Sequence, residues 1–586
     1  MKYMKLGTKP DTFYTEEAVR SVVSDVPADL IIHVNNTKYQ LHKFPLLLKC
    51  GLLQRLCSDT DDGDEAPVPV ALHDIPGGEE AFELCAKFCY GISISIGASS
   101  LVPALLAARF LRMTEATAKG NLVAKLEAFF DTCVLAGWKD SIAALQAAWR
   151  LSGWGESRVV QPCLDSIVDK ILTPPAKVTW SFTYTRPGYA ARKTKHQSVP
   201  RDWWTEDVSE LDVEVFRSVI STVRASGLLP PPLIGEALHV YASKHLADPL
   251  RAAGSAGVGD EEDEAVVARQ RRVLESIVTM IPGEHGAVTG RFLLRLLRAA
   301  IRVGASPSTR AQLVRQAGSQ LDEARAEDLL VPMPSGEGYD IGAAEAVLEH
   351  FLAQFRRPGG GAAPEERRRM SAAMGRVART FDEYLRTIAA LDRDLPVGRF
   401  VDLVECLPDI ARSDHDGLYY AIDVYLKEHP ELSKADKKRL CRLIDCRKLS
   451  PEVRAQAISN DRMPLRTIVQ LLFVEQERTM GSAANRAAGA SHGTAATVAP
   501  ADLASTDAIS SRLAARATKE EGPAASSAEE HKSEVHRPRR DHARVADGAA
   551  VAAMTRSLSA STKATTPAGR KERTPEERGS RMRNKQ

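Results

Sequence analysis

The sequence predicts an α+β protein in three parts: a small N-terminal mixed α/β domain, a large all-α helical domain and a disordered C-terminal tail. Three observations carry this expectation. Strand-and-turn patterns alternate with helical spacing over the first ~130 residues. From about residue 200 to 478 almost every segment has helical periodicity punctuated by Gly and Pro, and strand signals nearly vanish. After "VEQER" the large apolar residues all but disappear, so the chain cannot bury enough surface to offset its backbone entropy, about 1–2 kcal/mol per residue. At 586 residues the chain is also too long for one core.

The elements follow in order. "DLIIHV" from Asp29 reads as a strand, "NNT" (Asn35 to Thr37) as its turn and "KYQL" as a second strand. Pro45 stands at a first helical position, and "LLLKCGLLQRLC" follows as one helix of about three turns. The acidic "SDTDDGDEAP" is a loop, and "VPVAL" is a third strand. Ala81, Phe82, Cys85, Phe88 and Cys89 recur at helical spacing until Gly91 stops them; "ISISI" is then a strand, and helical sequence runs through "LEAFFDTCVLAGW". The expected boundaries are an N-terminal arm at 1–28, the α/β domain at 29–127, a helical linker with an irregular loop at 128–199, the helical domain at 200–478 and the tail at 479–586. Within the linker, "TPPAKVTWSFTYTRPGYAARKTKHQS" is too rich in Pro, Thr and basic residues to hold a core.

Composition removes several classes of function. A formal net charge of +2 gives no global electrostatic case for nucleic acid. Nine cysteines without a spacing framework suit a reducing compartment. "MKYMKLGTKPDTF" lacks the apolar run of a signal peptide, and "LVPALLAARFL" is interrupted by Pro103 and Arg109, so no membrane span is expected. The tail holds roughly 18 Lys/Arg against 12 Asp/Glu and is basic. A soluble intracellular protein is expected.

"SDHDGLYYAIDVYLKEHPELS", Ser413 to Ser433, superficially resembles an active site, with His415 between Asp414 and Asp416. Yet Leu418, Ala421, Ile422, Tyr425 and His429 share one helical face, and the two carboxylates stand where a helix N-terminus favours negative charge. No nucleophile or metal set accompanies them. Cys85 and Cys89 share a face but lack a second ligand pair, and Cys441 and Cys446 diverge on a helix. Neither a P-loop nor Gly-x-Ser-x-Gly occurs. A binding protein without catalytic, metal or cofactor residues is expected. In the tail, Arg556 precedes Ser559 in "RSLSAS", where a phosphate on Ser559 would add about −2 of charge beside Arg556. Basic clusters there give at most peripheral contact with an anionic membrane.

The phrases "MKLGTKPDTF", "ADLIIHV", "LHKFPLLLKC", "AFELCAKFCYGI" and "AKGNL", followed by "DWWTEDVSELD", "IGEALHVYASKHL", "LDEARAEDLLVP", "HDGLYYAIDVYLKEHPELS" and "RLCRLIDCRKLS", run in order over most of residues 1–478. Together they resemble the plant non-phototropic hypocotyl three family, a BTB/POZ domain followed by a family-specific helical domain. The resemblance implies a BTB homodimer or heterodimer that docks on cullin-3. The protein would then be a non-catalytic substrate adaptor of a cullin-RING ubiquitin ligase, with the helical domain holding an unknown protein substrate, in plant light or auxin-related signalling. It implies structural roles for Asp29 and His42, and a cullin-facing surface between about Phe82 and Glu115, with Leu111, Met113 and Glu115 as candidate contacts. Tyr425 falls at a tyrosine proposed as a phosphorylation site in the family, although its helical face favours packing. Ser559 lies in a motif similar to the family's 14-3-3 phosphoserine site. The alternative is a phospho-regulated scaffold, cytoplasmic or peripheral at the plasma membrane. Two departures stand out: "AQAISN" replaces the family's usual phrase after "CRKLS", and the tail has no sustained heptads.

Overall fold

The computed structural model describes residues 2–16, 19–58, 68–151, 157–186, 198–246, 260–333, 338–355 and 364–489. These fall in one unit of the chain, Met1–Leu503. Ser559 and the rest of residues 490–586 lie outside the described residues.

Among the described residues, seven strands belong to the N-terminal region: β1 Met4–Leu6, β2 Phe13–Glu16, β3 Val19–Val22, β4 Leu30–Val34, β5 Thr37–Leu41, β6 Val68–Leu72 and β7 Ile94–Ile96. Five form one sheet in the order β2-β3-β5-β4-β6, with β4 antiparallel to β5 and parallel to β6. In β4 the period of two is explicit: Leu30, Ile32 and Val34 are buried while His33 faces out. Asn35 makes the hairpin turn at φ 49°, a left-handed conformation that Asn tolerates better than most residues. The segment expected as an arm is instead woven in. β1 pairs with β7, β3 pairs in parallel with β5, and Arg20 on β3 reaches Glu83. Short polar strands of three or four residues give little sequence signal; their partners, distant in sequence, specify them.

Helices α1 Lys43–Leu47 and α2 Gly51–Ser58 replace the single helix expected there. The break at residues 48–50 lets Lys49 donate to the Phe88 and Cys89 carbonyls at 3.0 and 3.2 Å, at the C-terminal end of α3 Gly78–Tyr90. A cation there is favoured by the helix dipole. Gly91, at φ 75°, ends α3 as its sequence suggested. α4 Ala98–Phe110 is buried almost all round, packing on α3, on α5 Leu122–Phe129 and on α6 Trp138–Arg150.

α6 and α7 Ser157–Leu172 connect this region to the helical body. There Trp138 donates its indole N–H to Asp207 at 2.7 Å, and Asp207 also accepts from the Thr183 amide at 3.0 Å. The Trp138 and Trp203 rings lie 4.7 Å apart, and Trp180 and Phe182 close on Trp203 at 5.6 and 5.5 Å. The loop expected to hold no core therefore supplies two aromatic rings to one.

The body continues through α8 Thr205–Val208, α9 Val213–Ala225, α10 Pro231–His245, α11 Asp260–Met280, α12 Gly290–Arg302, α13 Pro307–Ser319, α14 Ile341–Phe355 and α15 Pro364–Leu391. It ends with α16 Val397–Glu405, α17 Asp416–Glu428, α18 Lys434–Cys441, α19 Pro451–Ile458 and α20 Leu465–Gly489. Neighbours in sequence pack as pairs, α12 on α13 and α13 on α14, while the long α15 is the platform for α17. α20 runs past residue 479, where composition suggested that order ends.

Trp138→Phe keeps a ring but removes the donor to Asp207, and Asp207→Leu strands a buried indole N–H. Each is expected to lower unfolding free energy by about 1–3 kcal/mol, with Asp207→Leu the worse, in urea titrations followed by tryptophan fluorescence.

Candidate functional site

The Ser413–Ser433 stretch is built for support. The His415 ring is buried; Nδ1 accepts the Asp445 backbone N–H at 3.0 Å, which places the proton of the neutral ring on Nε2. Burial holds His415 below the usual imidazole range, with Lys448 and Arg412 acting the same way and Asp445 and Asp409 opposing them. Asp416 accepts the Ser450 amide at 2.8 Å, and Ser450 caps α19 through the Val453 amide at 3.3 Å. Ser433 and Asp436 exchange bonds at the start of α18. His415 and Asp416 thus tie the start of α17 to the segment that leads into α19, while α18 is capped locally.

Beneath lies a buried ion pair. Arg412 donates to Asp382 on α15 at 3.0 Å through Nε and to the Val404 carbonyl at 3.1 Å. Burial raises the Asp382 carboxyl more than Arg412 lowers it. A Cβ at Gly417 would meet that of Asp382 at 3.1 Å, so glycine lets α17 approach α15 closely.

Tyr425 is 1 % exposed and donates to the Leu395 carbonyl at 2.6 Å. Its ring stacks on His429 at 4.1 Å and lies 4.5 Å from Phe400. Burial pushes its hydroxyl up to about 12. As a phosphorylation candidate it is corrected by packing, since its oxygen is out of reach in the folded chain. Of the three tyrosines in this stretch, Tyr420 reaches solvent, at 37 % exposed.

In the α/β region, Asp29 accepts the Lys43 amide at 2.7 Å and so caps α1 from a distance. His42 contacts the Tyr90 hydroxyl at 3.0 Å and the Val26 carbonyl at 2.9 Å. Of the candidate cullin contacts, Leu111 and Met113, in the turn that follows α4, are buried in the core. Glu115 is exposed, and its carboxylate accepts the Gly120 and Asn121 amides at 3.0 and 3.1 Å. The conspicuous surface lies elsewhere. Phe44 and Leu48 are 76 % and 53 % exposed beside a cleft of about 520 Å³ that also includes Asp29, Lys43, Leu47 and Thr117. The sequence signal was "KFPLLLK", which holds more apolar residues than one short helix can bury.

Among the described residues no group of His, Cys, Asp and Glu could hold a metal. Cys85 and Cys89 are buried, and the Cys50 and Cys89 sulfurs lie 3.7 Å apart, with burial raising the Cys85 thiol well above its ordinary value. No helix among the described residues is long and apolar enough to cross a membrane.

Comparison with known proteins places these surfaces in context. The NPH3 family profile matches residues 202–453. A BTB/POZ domain-containing protein of Arabidopsis thaliana is 51 % identical over 490 residues, 83 % of this chain and 87 % of that protein. From the same plant, the phototropic-responsive NPH3 family protein NPY1 is 38 % identical over 84 % of each chain. Root phototropism protein 3 is 34 % identical over 82 % of this chain and 78 % of its own.

Two outcomes follow from the buried groups. Arg412→Met is expected to destabilise by about 3–5 kcal/mol by leaving Asp382 unpaired, whereas adding Asp382→Leu recovers much of that loss in chemical denaturation. For His415 the folded pKa is depressed, so the unfolded chain binds the proton more tightly. Stability is full above about pH 6.5 and falls as pH drops from there toward the folded value, and His415→Gln removes that component of a pH–stability curve.

Proposed function

From the premise that this chain belongs to the NPH3 family of plant proteins, we propose that it is a non-catalytic adaptor. Its N-terminal α/β region docks on cullin-3 of a RING ubiquitin ligase, and its helical body holds a protein substrate. The observation that carries a docking role is the exposed pair Phe44 and Leu48. Two large apolar side chains left in water, one on a short helix and one just past its end, beside a cleft, suit an interface. In this reading α1 joins two copies of the chain, and the exposed residues around Glu115 meet cullin. Relatives named as BTB/POZ domain-containing proteins, which this chain matches over most of their length, support the assignment.

The test uses the whole chain, because a fragment ending at residue 127 would cut through α5 and strip α6 from α4. Titration with the amino-terminal domain of cullin-3 is expected to give micromolar or tighter binding, weakened by charge reversal at the exposed Arg112 or Lys119. Absence of binding by folded protein would transfer the reading to a signalling scaffold that acts without ubiquitination.

Phe44→Asp with Leu48→Lys is expected to convert a dimer to a monomer in light-scattering chromatography. Both side chains are largely solvated, so the thermal midpoint of the monomer changes little.

A further inference from the structure

A small cleft of about 60 Å³ opens between the end of α18 and the first turn of α20. Lys438, Cys441, Arg442, Arg466, Thr467 and Gln470 line it. Lys438 and Arg442 are four residues apart on one helical face, and Lys434 continues that line one turn earlier. Arg466 and Thr467 lie in the first turn of a 25-residue helix, whose positive end points the same way electrostatically. Three cations therefore converge where no lining residue is a carboxylate, and none of the three makes an ion pair among the described residues.

The neighbouring arginines behave differently. Arg462 pairs with Asp423 at 2.9 Å, Arg454 with Glu475 at 3.0 Å and Arg412 with Asp382 at 2.9 Å. On α18 itself, Lys437 is occupied by the Pro430 carbonyl at 3.1 Å and the exposed Arg439 stands outside the cleft, so Lys438 and Arg442 are the cations of this segment that line it. The arginine-lined cavity of about 480 Å³ at the start of α12 offers a contrast, because Glu323 and Asp328 also line it. Of these two, the smaller cleft leaves its cations for an outside anion.

Its size and surroundings narrow the ligand. A cleft of about 60 Å³ is on the scale of a single anionic group, and its three cations suit a phosphoryl group, which takes charge-assisted hydrogen bonds from several donors at once. Val469 and Phe473, three and seven residues after Arg466 on the same side of α20, are 38 % and 62 % exposed. A single anion seat with an apolar strip beside it suits a peptide carrying its charge on a short side-chain stem. A bilayer, by contrast, presents charge over an area.

We propose that this cleft binds a phosphoryl group carried on a serine or threonine of an extended partner peptide, whose neighbouring apolar side chain covers Val469 and Phe473. The proposal deepens the reading of the helical body as the partner-binding side. Its test involves no cullin, so the two readings fail separately.

The experiment measures fluorescence anisotropy of full-length protein with a pool of phosphoserine peptides that carry Leu or Phe two to four positions from the phosphoserine. The matched unphosphorylated pool, inorganic phosphate as competitor, and phosphatidylcholine vesicles with and without phosphatidylinositol phosphate are run beside it. The expected result is a preference of at least about tenfold for the phosphorylated pool, relieved by inorganic phosphate and abolished by Arg442→Glu with Arg466→Glu. Phe473→Ser is expected to weaken both pools, and Arg439→Glu, on an exposed residue outside the cleft, to weaken neither. Should the double variant unfold, Lys438→Gln and Arg466→Gln singly carry the same test. Equal binding of the two pools, or a phosphate preference that survives these substitutions, would overturn the proposal. So would capture of the phosphoinositide vesicles through these residues while peptides are ignored, which would assign the cleft to a membrane surface.

Discussion

The bond from the Trp138 indole to Asp207 is the constraint on which the arrangement of the described unit depends. Asp207 is 7 % exposed and accepts from both the Trp138 ring and the Thr183 amide, so one carboxylate fixes an α6 side chain, an irregular segment and the start of the helical body. The aromatic rings around Trp203 fill the remaining space, each edge-to-face pair adding roughly 0.5–1.5 kcal/mol beyond the area it buries. Because α6 also packs on α4, the sheet region and the helical body share one continuous interior. A segment with many prolines and threonines becomes part of a core because three neighbours give its rings somewhere to go.

The same logic explains why a stretch that looks catalytic is a brace. His415, Asp416, Ser433 and Ser450 each satisfy backbone N–H groups at or beside helix starts. Short helices expose a large fraction of unpaired backbone groups, and α18 and α19 have only eight residues each. Polar side chains dense enough to cap α18 and α19 and to tie the start of α17 to that of α19 resemble an active site in one dimension. In three dimensions their lone pairs are already committed, and the buried Arg412–Asp382 pair locks the assembly to α15.

What remains uncommitted is at the surface, and it divides by chemistry. Phe44 and Leu48 offer apolar area at the N-terminal end of the fold. Lys438, Arg442 and Arg466 offer charge near its C-terminal end. A protein whose interior polar groups are largely spoken for, and whose surface keeps both kinds of unsatisfied feature, is suited to joining other molecules.

The sequence by itself determined the α+β class, the β4–β5 hairpin and α3 with its glycine stop, because each is encoded within a few residues by periodicity or turn chemistry. It also placed Tyr425 on the inner face of its helix. Only the tertiary structure decided that the first 28 residues supply three strands, that a helix breaks at Lys49 to reach the end of α3, and that Leu111 and Met113 turn inward while Phe44 stays out. Those outcomes rest on partners tens of residues away. A strand of three residues is defined by its neighbour across the sheet, and burial is a property of everything packed around a side chain.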